Sequence, residues 1–164
     1  MTIALVVKLL HVLVGIALAT GIVGRDVTLR RAARTAELGA VHALLGVADV
    51  FERAFVRPMS FLVLALGLVS AWIQGVPILG SLAGGTTNWL VVSLVLFIAI
   101  ALLVPLVFLP RGRVFAEALA AADARGTVTP ELTAAFHDPA VERARLAEVI
   151  GLVVVIALMV LKPF

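Results

Sequence analysis

Four long runs of apolar residues divide the chain, and each has the length that crosses a bilayer. A transmembrane helix needs roughly 20 predominantly apolar residues. On this basis the spans lie at about 3–24, 58–74, 89–109 and 146–162, and the segments 25–57 and 110–145 between them are basic. The pattern predicts an all-α integral membrane protein in which four helices form a bundle.

The composition agrees with a membrane protein and excludes several chemistries. Hydrophobic residues make up 63% of the 164 residues and charged residues 14%, against about 45–50% and about 25% in soluble domains. Residues 1–164 are therefore expected to form a single membrane domain. Because the chain has no cysteine, disulfides, thiolate metal sites and cysteine nucleophiles are excluded.

The distribution of the cations predicts how the chain is oriented. Eleven of the thirteen lysines and arginines lie in the two basic segments, while the segment 75–88 between spans two and three is uncharged. Cytoplasmic loops are enriched in lysine and arginine. We therefore predict cytoplasmic loops at 25–57 and 110–145, both termini outside, and a location in the bacterial cytoplasmic (inner) membrane. We attribute the net charge of +3 to the arginines that set this orientation. Nucleic acid is therefore not expected as a partner.

The basic segments are themselves predicted to contain helices. Apolar residues at helical spacing (Val41, Leu44, Ala48, Phe51 and Phe55) indicate an amphipathic helix that lies along the inner membrane surface or caps the bundle. Thr129 and Asp138 each precede a proline and read as helix starts. We expect the second of these helices to run from Pro139 into the last span, Pro58 to open the second span, and the segment 110–113 to end the third.

Two ionisable residues interrupt the first span and are the candidate site residues. Lys8 and His11 are three residues apart, so they lie on one side of a helix. A lysine near the end of a span can reach the membrane surface, whereas His11 is too deep to do so easily. The structural interpretation is that neutral His11 fixes helix packing. The functional alternatives are a cofactor ligand, with haem b as the leading candidate because imidazole is its common protein ligand, proton handling, or a bound lipid headgroup.

The other polar candidates carry weaker signals. His42, with Asp49 and Arg53, is expected on a solvated helix face, and His137 in a loop before a helix cap. Both lie in the basic segments, away from His11, so a haem held by two histidines of one chain is not expected. Glu148, just inside the fourth span, is expected to pair with Arg145 or with an arginine of the first basic segment and so to serve packing or topology, with a proton or substrate role as the alternative. No metal site and no catalytic residue is predicted.

Short motifs along most of the chain resemble a bacterial family of predicted integral membrane proteins, domain of unknown function 2269. The motifs are Lys8-Leu9-Leu10-His11, Glu52-Arg53 through Arg57-Pro58, Gly67, Trp89-Leu90 and Ser93-Leu94. The resemblance implies a four-helix membrane protein and assigns it no activity.

The first helix also bears a more distant resemblance to the four-helix membrane proteins that include the bacterial haem-binding protoporphyrinogen oxidase and the copper-resistance D proteins. In the oxidase a first-helix histidine binds haem, and His11 is the matching residue. The aromatic and arginine-bearing stretch that follows that histidine is absent here, and the chain has no tyrosine. The resemblance therefore implies haem binding rather than the oxidase activity.

We predict a non-enzymatic multi-pass membrane protein, either a bundle that stands alone in the lipid bilayer or an accessory subunit. In the second case its partner is another copy of the chain or a larger membrane complex. The alternative is a redox-active, haem-binding protein in which His11 is the ligand and Lys8 lies beside it. A proton-coupled transporter is less favoured, since no span carries a carboxylate at mid-membrane.

Overall fold

A computed structural model describes residues 2–76 and 88–163. These residues form helices and no strand, so the all-α prediction is confirmed. The helices are α1 (Ile3–Ala33), α2 (Leu38–Phe51), α3 (Arg57–Ile73), α4 (Trp89–Leu103), α5 (Leu109–Arg125), α6 (Pro130–Phe136) and α7 (Pro139–Leu161). Most of the uncharged segment predicted at 75–88 lies outside the described residues.

Four helical rods are long and apolar enough to cross a membrane: Ile3–Ala33, Leu38–Ile73, Trp89–Arg125 and Pro130–Leu161. The first has 31 residues and, at about 1.5 Å per residue, is about 46 Å long. Since the hydrocarbon layer is about 30 Å thick, this rod must continue past the bilayer. All four rods thus reach beyond their predicted spans into the basic segments.

The second and third rods each pass through one π-helical turn near the predicted membrane boundary. Glu52–Val56 joins α2 to α3, and Val104–Phe108 joins α4 to α5. In the first of these turns the backbone N–H of Arg57 donates to the carbonyl of Glu52, five residues back. The chain therefore crosses from basic segment to span without a break in the helix.

The two π-helical turns explain why the helix continues through a proline at two places, although the segment 110–113 was expected to end the third span. Pro110 lies near the start of α5, and the helix continues to Arg125, so the segment 110–113 does not end it. Proline lacks an N–H and its ring collides with the carbonyl four residues earlier. For Pro110 that residue is Leu106, inside a π-helical turn, and for Pro58 it is Ala54, inside the other. The wider turn accommodates the ring.

The parts of the rods beyond the spans pack together into a cap, which we call the basic cap. Its buried core consists of Ala32, Val41, Ala122, Leu132 and Phe136. The rings of Phe115 and Phe136 meet edge to face with centroids 4.8 Å apart. Of the two placements considered for the amphipathic helix, the structure therefore supports the one that caps the bundle.

Within the spans, α1 packs along α3, and α4 packs along α7. Leu18, Ile22 and Val56 form a second buried cluster on the α1 side. Gly21 lets the helices approach closely there, because a Cβ on it would lie 3.2 Å from the backbone nitrogen of Val56. Membrane helices commonly associate through such small residues.

The predicted helix starts at Thr129 and Asp138 are confirmed. The Thr129 hydroxyl accepts a hydrogen bond from the backbone N–H of Leu132, and the Asp138 carboxylate accepts one from that of Ala140. From Pro139, α7 runs without interruption to Leu161. The last span and the basic cap are thus joined by one helix, as the sequence predicts.

Candidate functional site

Arg25 is the centre of a group of charged side chains where the spans meet the basic cap. It donates hydrogen bonds to Glu52 of the first π-helical turn, at 2.7 Å, and to Glu148 of α7. Its side chain is 14% exposed and that of Glu148 is 9% exposed. We call Arg25, Glu52 and Glu148 the Arg25 cluster. It ties three of the four rods together by buried charge.

The remaining rod, Trp89–Arg125, also reaches Arg25. The guanidinium lies over the ring of Phe108, 5.9 Å from its centroid, which is the geometry of a cation–π contact. All four rods therefore converge on this one side chain. The expectation that Glu148 pairs with an arginine of the first basic segment is confirmed, and the partner is Arg25 rather than Arg145.

A second group of charges adjoins the Arg25 cluster through Asp26. Arg30 donates to the Asp26 carboxylate at 2.8 Å, whereas the closest atoms of Arg145 and Asp26 are 4.0 Å apart. The Oδ1 atom of Asp26 is buried and has no hydrogen-bond partner in the described part of the chain. The Arg145 guanidinium, only 16% exposed, is thus held near a carboxylate without a hydrogen bond to it.

The surroundings of the two buried arginines act on their pKa values in opposite directions. For Arg25, burial favours the neutral form, but the charges of Glu148 and Glu52 outweigh it and raise the pKa. For Arg145, burial together with the positive charges of Arg25 and Arg30 outweighs the carboxylates of Asp26 and Glu148 and lowers the pKa. Arginine stays protonated in proteins. The difference shows that Arg145 is the less well compensated charge.

The structure turns His11 into the bundle and leaves Lys8 exposed. The imidazole packs against α3 at Gly67, where a Cβ would lie 3.0 Å from His11 Cε1. It also lies close to the backbone of Val63, but its Nδ1 atom is buried and makes no well-formed hydrogen bond to a described residue. Lys8 is on the exposed surface of α1. The two candidate residues therefore do not share an enclosed site.

The remaining histidines lie in or beside the basic cap. His42 on α2 pairs with Asp123 on α5 at 2.7 Å, across exposed surface. His137 follows α6 and lies 3.3 Å from Glu142. His42, Asp49 and Arg53 are all exposed, as expected, and Asp49 pairs with Arg53 one turn along the helix at 2.8 Å. Among the described residues no group of three or more His, Cys, Asp or Glu side chains could hold a metal ion.

The described surface has two cavities near the boundary between the spans and the basic cap. One, of about 470 Å³, is an open groove lined by Ala19, Thr20, Val23, Gly24 and Phe51. The other, of about 200 Å³, is more enclosed and lies where the spans meet the basic cap. Neither is lined by His11 or by a member of the Arg25 cluster.

Sequence reasoning did not single out Glu52, Asp26 or Arg25 as site residues. A usable signal was present, because Arg25 and Asp26 directly follow the first span, Glu52 precedes the second, and Glu148 opens the fourth. Opposite charges at one depth in an antiparallel bundle are expected to meet. The depth of a charged residue along its helix therefore predicts its partner better here than the spacing of charged residues within one helix.

Four long apolar rods, joined at one end by buried ion pairs and a basic cap, define a multi-pass helical membrane protein. The family of predicted integral membrane proteins DUF2269 matches residues 5–163, so the chain belongs to that family. No curated protein and no solved structure matches the chain. The distant resemblance to the protoporphyrinogen oxidase and copper-resistance D proteins gains no support from these comparisons and stays a prediction.

Proposed function

We propose that the protein is a non-enzymatic bundle that serves as an accessory subunit of a larger complex in the bacterial inner membrane. The observation that carries this proposal is the pairing of Glu52 and Glu148 with Arg25. These two acidic side chains lie close to the spans, and their charges join helices instead of lining a cavity. Buried ion pairs of this kind specify how elements are arranged more than they add net stability.

The open groove on α1 supports the role as a subunit. It is lined by small side chains at helical spacing, including Ala19, Thr20 and Gly24, with Phe51 at one edge. The Thr20 hydroxyl donates to the Ile16 carbonyl at 2.9 Å, so its proton is already bonded within α1. Because membrane helices approach one another where side chains are small, the groove fits a helix of another membrane protein.

Site-specific photo-crosslinking in native membranes tests the proposal. A photoreactive amino acid replaces Thr20 in the groove or, as the matched control, Phe61, which is 77% exposed on α3. We expect one discrete adduct heavier than a dimer from position 20 and none of that mass from position 61. An adduct of dimer mass indicates a homo-oligomer, and no adduct indicates a bundle that stands alone; both results contradict the accessory role.

Haem binding by His11 is the second candidate, favoured by the buried Nδ1 atom that lacks a well-formed hydrogen bond. The contact with Gly67 leaves no room for a porphyrin between α1 and α3 on that side of the ring. A haem would therefore have to lie on the other side of the imidazole. The exposed position of Lys8 gives no added support for it as a second ligand.

An absorption spectrum tests this candidate directly. The protein is expressed with haem precursor supplied, purified in detergent, and measured reduced and oxidised beside the variants His11→Ala and His42→Ala. If His11 is the ligand, the Soret and α bands are present in the wild type and in His42→Ala and are lost in His11→Ala. A flat spectrum in all three proteins rejects haem binding.

A further inference from the structure

The more enclosed cavity lies between α1, α5, α6 and α7 and combines two arginines with aromatic walls. Its volume is about 200 Å³, and its lining includes Arg111, Gly112 and Arg145 together with the rings of Phe108, Phe115 and Phe136. No acidic side chain lines it. The cavity therefore offers positive charge and apolar surface to the same ligand.

The ion pairs of the two cavity arginines leave a surplus of one cation. Arg145 and Arg30 both lie beside Asp26, so two positive charges share one carboxylate. Arg111 is paired one to one with Asp138. A bound anion with one negative charge would balance the two arginines at Asp26.

The donors of the two cavity arginines are only partly used. Arg145 donates no hydrogen bond to another described residue, and its closest carboxylate atom is 4.0 Å away. Arg111 pairs with Asp138 at 3.2 Å through one of its nitrogens. A guanidinium has five N–H donors and matches the geometry of phosphate oxygens. Both side chains can therefore receive a phosphate group.

The depth of the cavity indicates which phosphate it receives. Arg111 lies two residues beyond the predicted end of the third span, and Arg145 lies one residue before the fourth. Two residues correspond to about 3 Å along a helix, so both guanidinium groups are at the level of the lipid headgroups. Phe108, inside the predicted third span, is suited to the glycerol and upper acyl region of a lipid, whereas Phe115 and Phe136 belong to the basic cap and close the cavity on the side away from the bilayer.

We propose that this cavity binds the phosphate of an anionic phospholipid headgroup, held by Arg111 and Arg145. Basic pockets between transmembrane helices are known to take anionic lipids in this way. This site is separate from the groove on α1 and does not depend on the accessory role.

Native mass spectrometry of the full chain in detergent tests the proposal. Phosphatidylglycerol and phosphatidylcholine with identical acyl chains are titrated onto the protein. Both lipids carry the phosphate, but only phosphatidylcholine adds a choline cation, which the positive charge of Arg111 and Arg145 repels. We therefore expect phosphatidylglycerol to bind about tenfold more tightly. Equal affinity for the two lipids overturns the proposal. Displacement of phosphatidylglycerol by inorganic phosphate at millimolar concentration assigns the cavity to a free anion and overturns the assignment to lipid.

Three variants locate the binding in the cavity. Arg111→Gln removes one positive charge from the cavity. Gly112→Leu adds bulk at a position whose Cβ would meet no atom within 4 Å, so the protein retains its fold. Both are expected to weaken phosphatidylglycerol binding about tenfold, while Arg113→Gln, on the same helix and not in the lining, leaves it unchanged. Helicity is checked by circular dichroism. If Arg113→Gln and Arg111→Gln lose the same amount of phosphatidylglycerol affinity, the lipid is attracted to the basic surface in general, and this result overturns the site.

Discussion

Arg25 and Glu148 are separated by 123 positions in the sequence and form a buried ion pair between the first and last long helices. Glu52 shares the same guanidinium. One arginine thus fixes the positions of α1, α7 and the π-helical turn before α3. Its removal leaves two carboxylates at the membrane boundary without their shared counter-charge.

We expect Arg25→Gln to lower the free energy of unfolding by about 3–5 kcal/mol, which is the usual cost of removing one partner of a buried ion pair. Thermal unfolding in detergent measures the loss. Arg53→Gln is the control, because Arg53 is 73% exposed and its pair with Asp49 contributes at most about 0.5 kcal/mol. Replacing Glu52 and Glu148 by glutamine in the Arg25→Gln protein should recover part of the stability. No recovery would contradict the assigned pairing.

The glycines at positions 21 and 46 should respond to alanine in opposite directions. Gly21→Ala places a methyl group 2.6 Å from the Cβ of Phe55 and 3.2 Å from the backbone nitrogen of Val56, so we expect a loss of about 1–3 kcal/mol from overpacking. At Gly46 a Cβ meets no atom within 4 Å, and alanine should stabilise α2 by about 0.5–1 kcal/mol. Thermal unfolding of both variants is the measurement. If both variants changed the free energy of unfolding in the same direction, this would be evidence against the close approach of α1 to the π-helical turn Glu52–Val56.

A double-mutant cycle tests the contact between His11 and Gly67. Gly67→Ala brings a methyl group to 3.0 Å from His11 Cε1, and we expect it to destabilise the protein. In a His11→Ala background the same change should cost little, because the ring is gone. A coupling energy of about 1 kcal/mol or more is expected from such contacts. Additive effects would show that the two residues do not touch.

The predicted orientation can be measured because the chain has no native cysteine. Gln74→Cys lies at the end of α3 and Thr127→Cys in the basic cap, and both positions are exposed. In intact cells a membrane-impermeant thiol reagent should label position 74 and leave position 127 unlabelled. Permeabilised cells, in which both label, provide the control. Labelling of position 127 in intact cells would show that the orientation is the opposite of the predicted one.

Much of the fold could be predicted from sequence because the membrane imposes strong local patterns. The runs of apolar residues locate four spanning helices, and the Thr129 and Asp138 caps with their following prolines mark two helix starts that the structure confirms. The continuation of helix through Pro110 could not be predicted. It depends on the π-helical turn Val104–Phe108, whose wider hydrogen-bond pattern has no strong sequence signature.

The site was harder to predict because it depends on contacts between distant segments. Glu148 was expected to find an arginine, and several in the first basic segment were available. Only the packing of α1 beside α7 and the π-helical turn selects Arg25. Likewise, His42 meets Asp123 rather than its neighbours on α2, because α2 and α5 come together in the basic cap.

The π-helical turn Glu52–Val56 also sets the rotational phase between two halves of one rod. Such a turn takes up one residue more than an α-helical turn, and one residue corresponds to about 100° of rotation about the helix axis. The face that α2 presents to the basic cap and the face that α3 presents to α1 are therefore offset by that angle. Deleting a single residue here would close the turn, bring the ring of Pro58 against the carbonyl four residues before it, and rotate Gly67 away from His11 while Val41 stayed in the cap.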